Sequence, residues 1–334
     1  MCFKSKQIDI PLSSYYRIMS LNILVTGSSG FLGSLLCKVL VKKGHNLTAV
    51  DLIKPINLIP NTKYFVDSLD TFLVNNSDTL SSFDIIIHTA SVLPFKSNKK
   101  ELIETNINIT KKLIDEIEAS DSTFLIYVSS SGVYGKPKSL PIDIDTELNP
   151  LDLYAKTKIK SEEYIKNNLD SNQYSIIRPR TILGENRGGI FNLFFSLIKK
   201  NIPIPLPNNG KQIIQFVDVE DLANLITHVG ENKLFGIWPA AAPQQEPLKN
   251  HLKKLGAVLN KKVITFNINS KFFEFFGNTL VKLKLTNFTK WHFGAFPHDF
   301  YFDENWKPEG FKYNKTCNDT FMNSADSYFN RDTL

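Results

Sequence analysis

Three glycines at positions 27, 30 and 33, in Thr26-Gly27-Ser28-Ser29-Gly30-Phe31-Leu32-Gly33, narrow the folds open to this chain more than any other feature. They follow a short apolar run, Leu21 to Thr26, and precede Phe31 to Lys43, where Leu32, Leu35, Leu36, Val39 and Leu40 recur at helical spacing. A strand, a glycine turn and a helix in that order aim the free N–H groups of the helix start at whatever lies above the turn, and those groups attract phosphate. In such a turn Gly27 permits the tight reversal, Gly30 lets the backbone approach a pyrophosphate, and Gly33 lets the helix lie close on the sheet. Phe31 and Leu32 open that helix and belong to the same candidate dinucleotide contact.

The strand-helix alternation continues. Leu47 to Val50, Tyr64 to Val66, Asp84 to His88, Phe124 to Val128 and Tyr174 to Ile177 read as strands. Leu102 to Ala119 and Leu151 to Leu169 read as helices between them. Strands apolar on both faces are sandwiched between helix layers, so the expected fold is α/β, a Rossmann-type doubly wound parallel sheet. After Arg180 the alternation weakens: Ile190 to Lys200 is helical, Ile202 to Pro207 is broken by proline, Gln215 to Val219 is extended and a helix starts at Glu220. Two more helical stretches, Leu248 to Leu259 and Lys271 to Leu285, precede an aromatic-rich tail through Phe293 and Trp306. The expected division is an N-terminal extension over 1–20 and a dinucleotide-binding domain over 21–180 with segments returning near 210–230. Residues 181–334 are then mainly a smaller α+β substrate lobe.

Within this frame Asp51 ends the second strand about 20 residues beyond the glycines, where a carboxylate accepts hydrogen bonds from ribose hydroxyls and repels a 2′-phosphate. That favours NAD over NADP, although Lys54 is close in sequence. Asp67, after the third strand, is a weaker candidate for the adenine edge. Tyr154 and Lys158 in Tyr154-Ala155-Lys156-Thr157-Lys158 share one helical face at i,i+4 spacing. An ammonium beside a phenol favours the phenolate, and bringing a phenol from about pH 10 to neutrality asks about 4 kcal/mol of the Lys158 charge and the cofactor's positive nicotinamide ring together. Tyr154 can then exchange a proton with a substrate oxygen while hydride moves. One crossover earlier, Val128-Ser129-Ser130-Ser131-Gly132-Val133-Tyr134-Gly135 tips a strand with hydroxyls, and Ser130 is the one assigned to the reacting oxygen.

Composition excludes other classes. The net charge of +6 comes from 39 Lys and Arg against 33 Asp and Glu, spread along the chain without a basic block, which argues against a nucleic-acid partner. Cys2, Cys37 and Cys317 stand far apart and make neither a disulfide framework nor a metal-ligand cluster, so no metal is expected. With no apolar run of membrane-spanning length and no secretory signal, the expected location is cytoplasmic and stable membrane insertion is not expected.

Taken together, TGSSGFLG, DIIIHTAS, Asn106-Ile107-Asn108-Ile109-Thr110, VSSSGVYG, YAKTK and Ile177-Arg178-Pro179-Arg180 resemble the NAD-dependent epimerase/dehydratase family of extended short-chain dehydrogenase/reductases, over roughly Leu21 to Leu225. The resemblance implies a catalytic Ser130, Tyr154 and Lys158. It also implies that Thr89, Ala90 and Ser91 line the cofactor cleft, that Asn106 steadies the helix near Lys158, and that Pro179 borders the cofactor. It further implies a homodimer through the helices at 102–119 and 151–169. Nucleotide-sugar members carry an arginine near the position of Ile214; here it is apolar, and Arg180 or Arg187 would have to compensate. Ser131 and Gly132 stand where the sugar dehydratases carry acids, which disfavours dehydration.

The resulting expectation is an NAD-dependent oxidoreductase or epimerase acting on a hydroxyl- or carbonyl-bearing carbon of a small molecule, sugars and nucleotide sugars included. The alternatives are a sterol-like or flavonoid-like alcohol dehydrogenase and a non-catalytic dinucleotide sensor. Phe272, Phe273, Phe275 and Phe276 beside basic residues raise a further idea, a lipid-surface enzyme, against the plainer reading of lobe core or dimer packing.

Overall fold

The computed structural model describes residues 20–330 except 94–96, 120–121, 186, 188–189 and 284–289, so all but Ser20 of the expected N-terminal extension lies outside the described residues. Seven strands form the central sheet: β1 (Asn22–Thr26), β2 (Asn46–Asp51), β3 (Thr62–Val66), β4 (Ile85–His88), β5 (Phe124–Val128), β6 (Tyr174–Pro179) and β7 (Gly236–Ala240). Their spatial order is β3-β2-β1-β4-β5-β6-β7, and every neighbouring pair is parallel.

Helices cover both faces. In chain order they are α1 (Phe31–Lys42), α2 (Leu69–Asn76), α3 (Lys99–Ile103), α4 (Ile109–Glu118), α5 (Leu153–Asn168), α6 (Phe191–Lys199), α7 (Val219–Glu231), α8 (Leu248–Val258), α9 (Ser270–Lys282), α10 (Lys290–Ala295) and α11 (Cys317–Phe329). Successive side chains of a strand point to opposite faces. Accordingly Ile23 and Val25 of β1 pack with Leu36 and Leu40 of α1 and Leu222 and Ile226 of α7, whereas Leu24 joins Leu113 and Ile117 of α4 and Ile165 of α5. β4 and β5 are buried along their whole length, which is why they read as unbroken apolar runs. Each fully buried Ile or Leu here contributes about 1.5–3 kcal/mol relative to exposure.

A second, aromatic core lies in the smaller lobe, where Phe191, Phe194 and Phe195 of α6 meet Phe216, Phe321 of α11 and Leu252 of α8. Short strand pairs lace that lobe: Ile204–Pro207 with Thr265–Ile268, Ile213–Ile214 with Glu246–Pro247, and Thr181–Leu183 with Phe216–Asp218.

Five expectations need correction. β6 does not stop at Ile177 but runs through Pro179, which pairs with Ala240. The sheet is not finished at Arg180 either, because β7 adds its far edge, and an edge strand tolerates Pro239. The extended run at Gln215 to Val219 is a strand over Phe216–Asp218 only, with Val219 already helical because the Asp218 side chain caps α7 by accepting from Glu220 N. The aromatic tail ends in α11, closed at its start by a reciprocal Thr316–Asp319 cap. The stretch expected as a helix over Lys271 to Leu285 is helical over Ser270–Lys282, and its last two residues lie outside the described residues.

Candidate active site

The strand order reverses between β1 and β4, and in such sheets the crevice beyond the carboxyl ends at this point is where ligands bind. The glycine turn leaves β1 there, residues 89–91 leave β4, and Ser129 to Ser131 leave β5. Gly27 takes φ +71°, and a Cβ on it would stand 2.7 Å from the Ala90 backbone; on Gly33 a Cβ would stand 2.1 Å from the Gly27 carbonyl oxygen. No side chain larger than hydrogen fits at either place. Gly30 caps α1 without a side-chain hydrogen bond, so the helix start is left facing the crevice beside Phe31 and Leu32.

Asp51 ends β2 and fastens this turn. One carboxylate oxygen accepts from Ser29 N at 2.9 Å and the other from Ile53 N at 3.0 Å. Each oxygen keeps a further lone pair for a ligand hydroxyl. Asp67 lies alongside, its N–H donating to the Asp51 carbonyl at 3.0 Å, but it is exposed and its carboxylate accepts from Ser68 N.

On the opposite wall Thr89 Oγ1 donates to the Thr26 carbonyl at 2.7 Å, joining β4 to β1. Asn106 sits on a π-helical turn (Glu104–Asn108) between α3 and α4, a distortion frequent at functional sites. It is buried and stitches three segments: its Oδ1 accepts from Ser91 Oγ and Val92 N, and its Nδ2 donates to the Val92 carbonyl and to Thr157 Oγ1 on α5. Its role is thus to hold the wall at 91–92 against the helix that carries Tyr154 and Lys158. Pro179 closes β6 beside Ala240.

Of the three serines after β5, Ser129 and Ser131 are buried at 3% and 2% exposure, and Ser130 alone is half-buried. Ser130 Oγ accepts from Gly132 N at 3.0 Å, which leaves its O–H to donate outward. Tyr154 occupies the first turn of α5, whose start is capped by Asp152. Lys158 follows one turn later, 2% exposed, its Nζ donating to the Val128 carbonyl at 2.9 Å and lying 5.9 Å from the Tyr154 ring centre.

Burial governs the charge of both groups in the protein by itself. Burial pulls the Lys158 ammonium down to about 7, against the raising influence of Glu162. Burial pushes the Tyr154 phenol up to about 12, opposed by hydrogen bonding from Ser91 and by the charge of Arg187. The i,i+4 lysine therefore does not acidify the phenol through the protein's groups alone, because desolvation of both groups outweighs their attraction.

Two features escaped the sequence reading. Glu162, one turn beyond Lys158 on α5, is 1% exposed and grips Arg178 of β6 through both carboxylate oxygens, with Arg178 Nε at 3.0 Å. The same carboxylate accepts from Ser129 Oγ, and Arg178 also donates to the Tyr134 hydroxyl. The signal was there in the i,i+4 spacing of Lys158 and Glu162. His88, at the end of β4, bridges Thr26 Oγ1 at 2.7 Å and Thr110 Oγ1 at 3.0 Å, and burial lowers it to about 3, so it is a neutral structural link.

Ile214 lies 3% exposed in the lobe core, bridged to Phe300, and the Arg180 guanidinium stacks on that same Phe300 ring at 3.9 Å. Arg187 lies over Phe31 at 4.5 Å.

A doubly wound parallel sheet with a glycine turn at its switch point and Asp51 at the end of β2 defines the Rossmann class of fold. The chain belongs to the NAD dependent epimerase/dehydratase family, whose model matches residues 23–237. It is 32% identical over 224 residues to the uncharacterized protein y4nG of Sinorhizobium fredii, covering 66% of this chain and 56% of that protein. It is 27% identical over 231 residues to a putative UDP-glucose 4-epimerase of Methanocaldococcus jannaschii, covering 64% of this chain and 76% of that one. Against the first of these relatives, then, the match spans little more than half of the relative's length. The fold matches the Bordetella bronchiseptica enzyme WbmG, crystallised with NAD, at a TM-score of 0.73 and 16% identity over 96% of both chains.

Proposed function

We propose that this chain holds NAD over the Gly27–Gly33 turn and reversibly oxidises a secondary alcohol of a nucleotide sugar, the outcome being inversion at that carbon. The observation that carries the reading is the meeting, at the sheet's switch point, of the glycine turn after β1 with Asp51, which accepts from Ser29 N of that turn, while bare Gly27 and Gly33 let the turn pack tightly on residues 89–90 and on α1. Family membership and the UDP-glucose 4-epimerase relative support it. Asp51, with lone pairs left beyond its two backbone contacts, receives the ribose hydroxyls and selects NAD over NADP.

When bound, the oxidised nicotinamide supplies the hydride acceptor and a positive charge that lowers the phenol at Tyr154. The remaining work falls to the chain's own side chains. Ser130 donates to the reacting oxygen, Tyr154 takes its proton, and Lys158 stabilises the phenolate. Asn106 keeps the wall at 91–92 and α5 in register. Arg180, held on Phe300 next to Ile214, is the cation offered to a substrate diphosphate where Ile214 cannot serve.

The test is incubation of the purified protein with NAD and a panel of UDP-hexoses and UDP-hexuronates, followed by chromatography of the sugars. Epimer formation without net NADH supports the reading. A second reading, an uncharged alcohol as substrate, is favoured by the apolar Ile214 and the aromatic lobe; NADH accumulation with such alcohols and no sugar conversion would establish it instead. Dinucleotide binding with no turnover of either class would leave a sensor.

A further inference from the structure

α9 is turned inside out relative to an ordinary surface helix. Phe273 points inward, packing on Phe293 and Phe296 with ring centres 5.4 and 5.7 Å apart, and Gly277 is buried against Phe293. Phe272, Phe275 and Phe276 face solvent at 61%, 72% and 54% exposure, with Leu283 at 60% on the same side at the helix end. Phe272 and Phe276 stack on each other at i,i+4. Only one of the four phenylalanines thus belongs to the lobe core, and three large rings stand free on one face.

The charge around them is one-sided. Along α9 itself the cations are Lys271 and Lys282, one near each end, and Glu274 is its one acid. Both lysines are exposed, whereas Lys254 of α8 is engaged by Glu246 at 2.6 Å. Glu274 is already neutralised, pairing with Lys136 at 3.0 Å and His298 at 3.3 Å. α9 therefore offers three exposed rings with an exposed lysine toward each end and its one acid already paired.

We propose that this face of α9 docks the protein on an anionic lipid bilayer, the phenylalanines entering the headgroup boundary and the lysines meeting lipid phosphates and carboxylates. Exposed aromatic residues with lysines at their margin are what such a surface binds, by buried apolar area plus attraction to negative lipids. A second copy of this chain is a poorer occupant, because a two-fold contact would set one lysine-edged face against another. A nucleic-acid duplex is poorer too, since its phosphates would meet the lysines and leave the three phenylalanine rings in water. The attachment is peripheral: among the described residues no helix is long and apolar enough to cross a membrane.

The experiment is flotation of the full chain with vesicles of phosphatidylcholine alone and of phosphatidylcholine mixed equally with phosphatidylserine. The comparison is with the triple variant Phe272→Ser, Phe275→Ser, Phe276→Ser, whose integrity is checked by its unfolding midpoint and dinucleotide binding. Binding to the mixed vesicles only, weakened by salt and reduced about tenfold or more in the variant, is the expected result. The proposal is overturned if the chain ignores mixed vesicles, if the variant binds them as well as the parent, or if the phenylalanines govern only self-association or oligonucleotide binding.

Discussion

Glu162→Gln keeps the shape of a buried side chain and deletes its charge. The carboxylate is 1% exposed, meets Arg178 through both oxygens, accepts from Ser129, and is the group that holds up the Lys158 ammonium. Arg178, 2% exposed, stays charged when its partner becomes neutral, since a guanidinium does not give up its proton at working pH. Removing one member of a buried pair costs about 3–5 kcal/mol. That is a large share of the roughly 5–15 kcal/mol a native domain possesses.

The second effect is on titration. Lys158 already sits near 7, and without Glu162 it falls lower, so less ammonium is present at neutrality. Catalysis that needs the ammonium loses activity as pH rises through this value, and in the variant that loss moves to more acidic pH. Urea unfolding measures the first effect and a kcat profile against pH the second. Adding Arg178→Met to the variant returns part of the lost stability, because the unpaired charge goes with it. Unfolding within about 0.5 kcal/mol of the parent, a range typical of inconsequential substitutions, together with an unmoved pH limb would refute the reasoning.

Lys158→Met is expected to abolish turnover and raise stability. The folded-state value of Lys158 is depressed, so the native chain binds fewer protons than the unfolded one between about 7 and 10.5, and stability is lost as pH falls through that window. The shift corresponds to at most about 5 kcal/mol, so the gain in melting temperature is largest at pH 7 and below and shrinks toward pH 10. Gly33→Ala drives a methyl against the Gly27 carbonyl oxygen, which must open the turn. Dinucleotide affinity, measured by calorimetric titration, is expected to fall about tenfold or more, with about 1–3 kcal/mol of overpacking cost in urea unfolding.

The sheet was legible where local chemistry and tertiary burial agree. DIIIH and FLIYV are apolar on both faces because helices cover both faces, and the glycine spacing reports a backbone contact that no other residue permits. Legibility failed where a single element carries mixed signals. β7 contains Trp238 and Pro239 and pairs on one side only, so neither alternation nor an unbroken apolar run marks it. α11 begins in an aromatic-rich tail, yet its Thr316–Asp319 cap was a readable start signal.

At the site, spacing placed Tyr154, Lys158 and Ser130 around one crevice, but spacing carries no information about desolvation. For that reason the phenol's upward displacement, and the Glu162–Arg178 pair behind Ser129, emerge only from packing. The phenylalanines at 272–276 show the opposite failure, since a pattern that looks like core divides into one half-buried ring packed on the lobe core and three exposed ones.

The account rests on Tyr154 exchanging a proton with a substrate oxygen beside a bound nicotinamide. Stopped-flow absorbance of the reduced nicotinamide, recorded as the NAD-loaded parent and Tyr154→Phe meet a turned-over substrate, addresses this directly. Transient reduction in the parent, slowed about a hundredfold or more in a variant that binds dinucleotide equally well, is the predicted result. Equal reduction rates in the two proteins would contradict it.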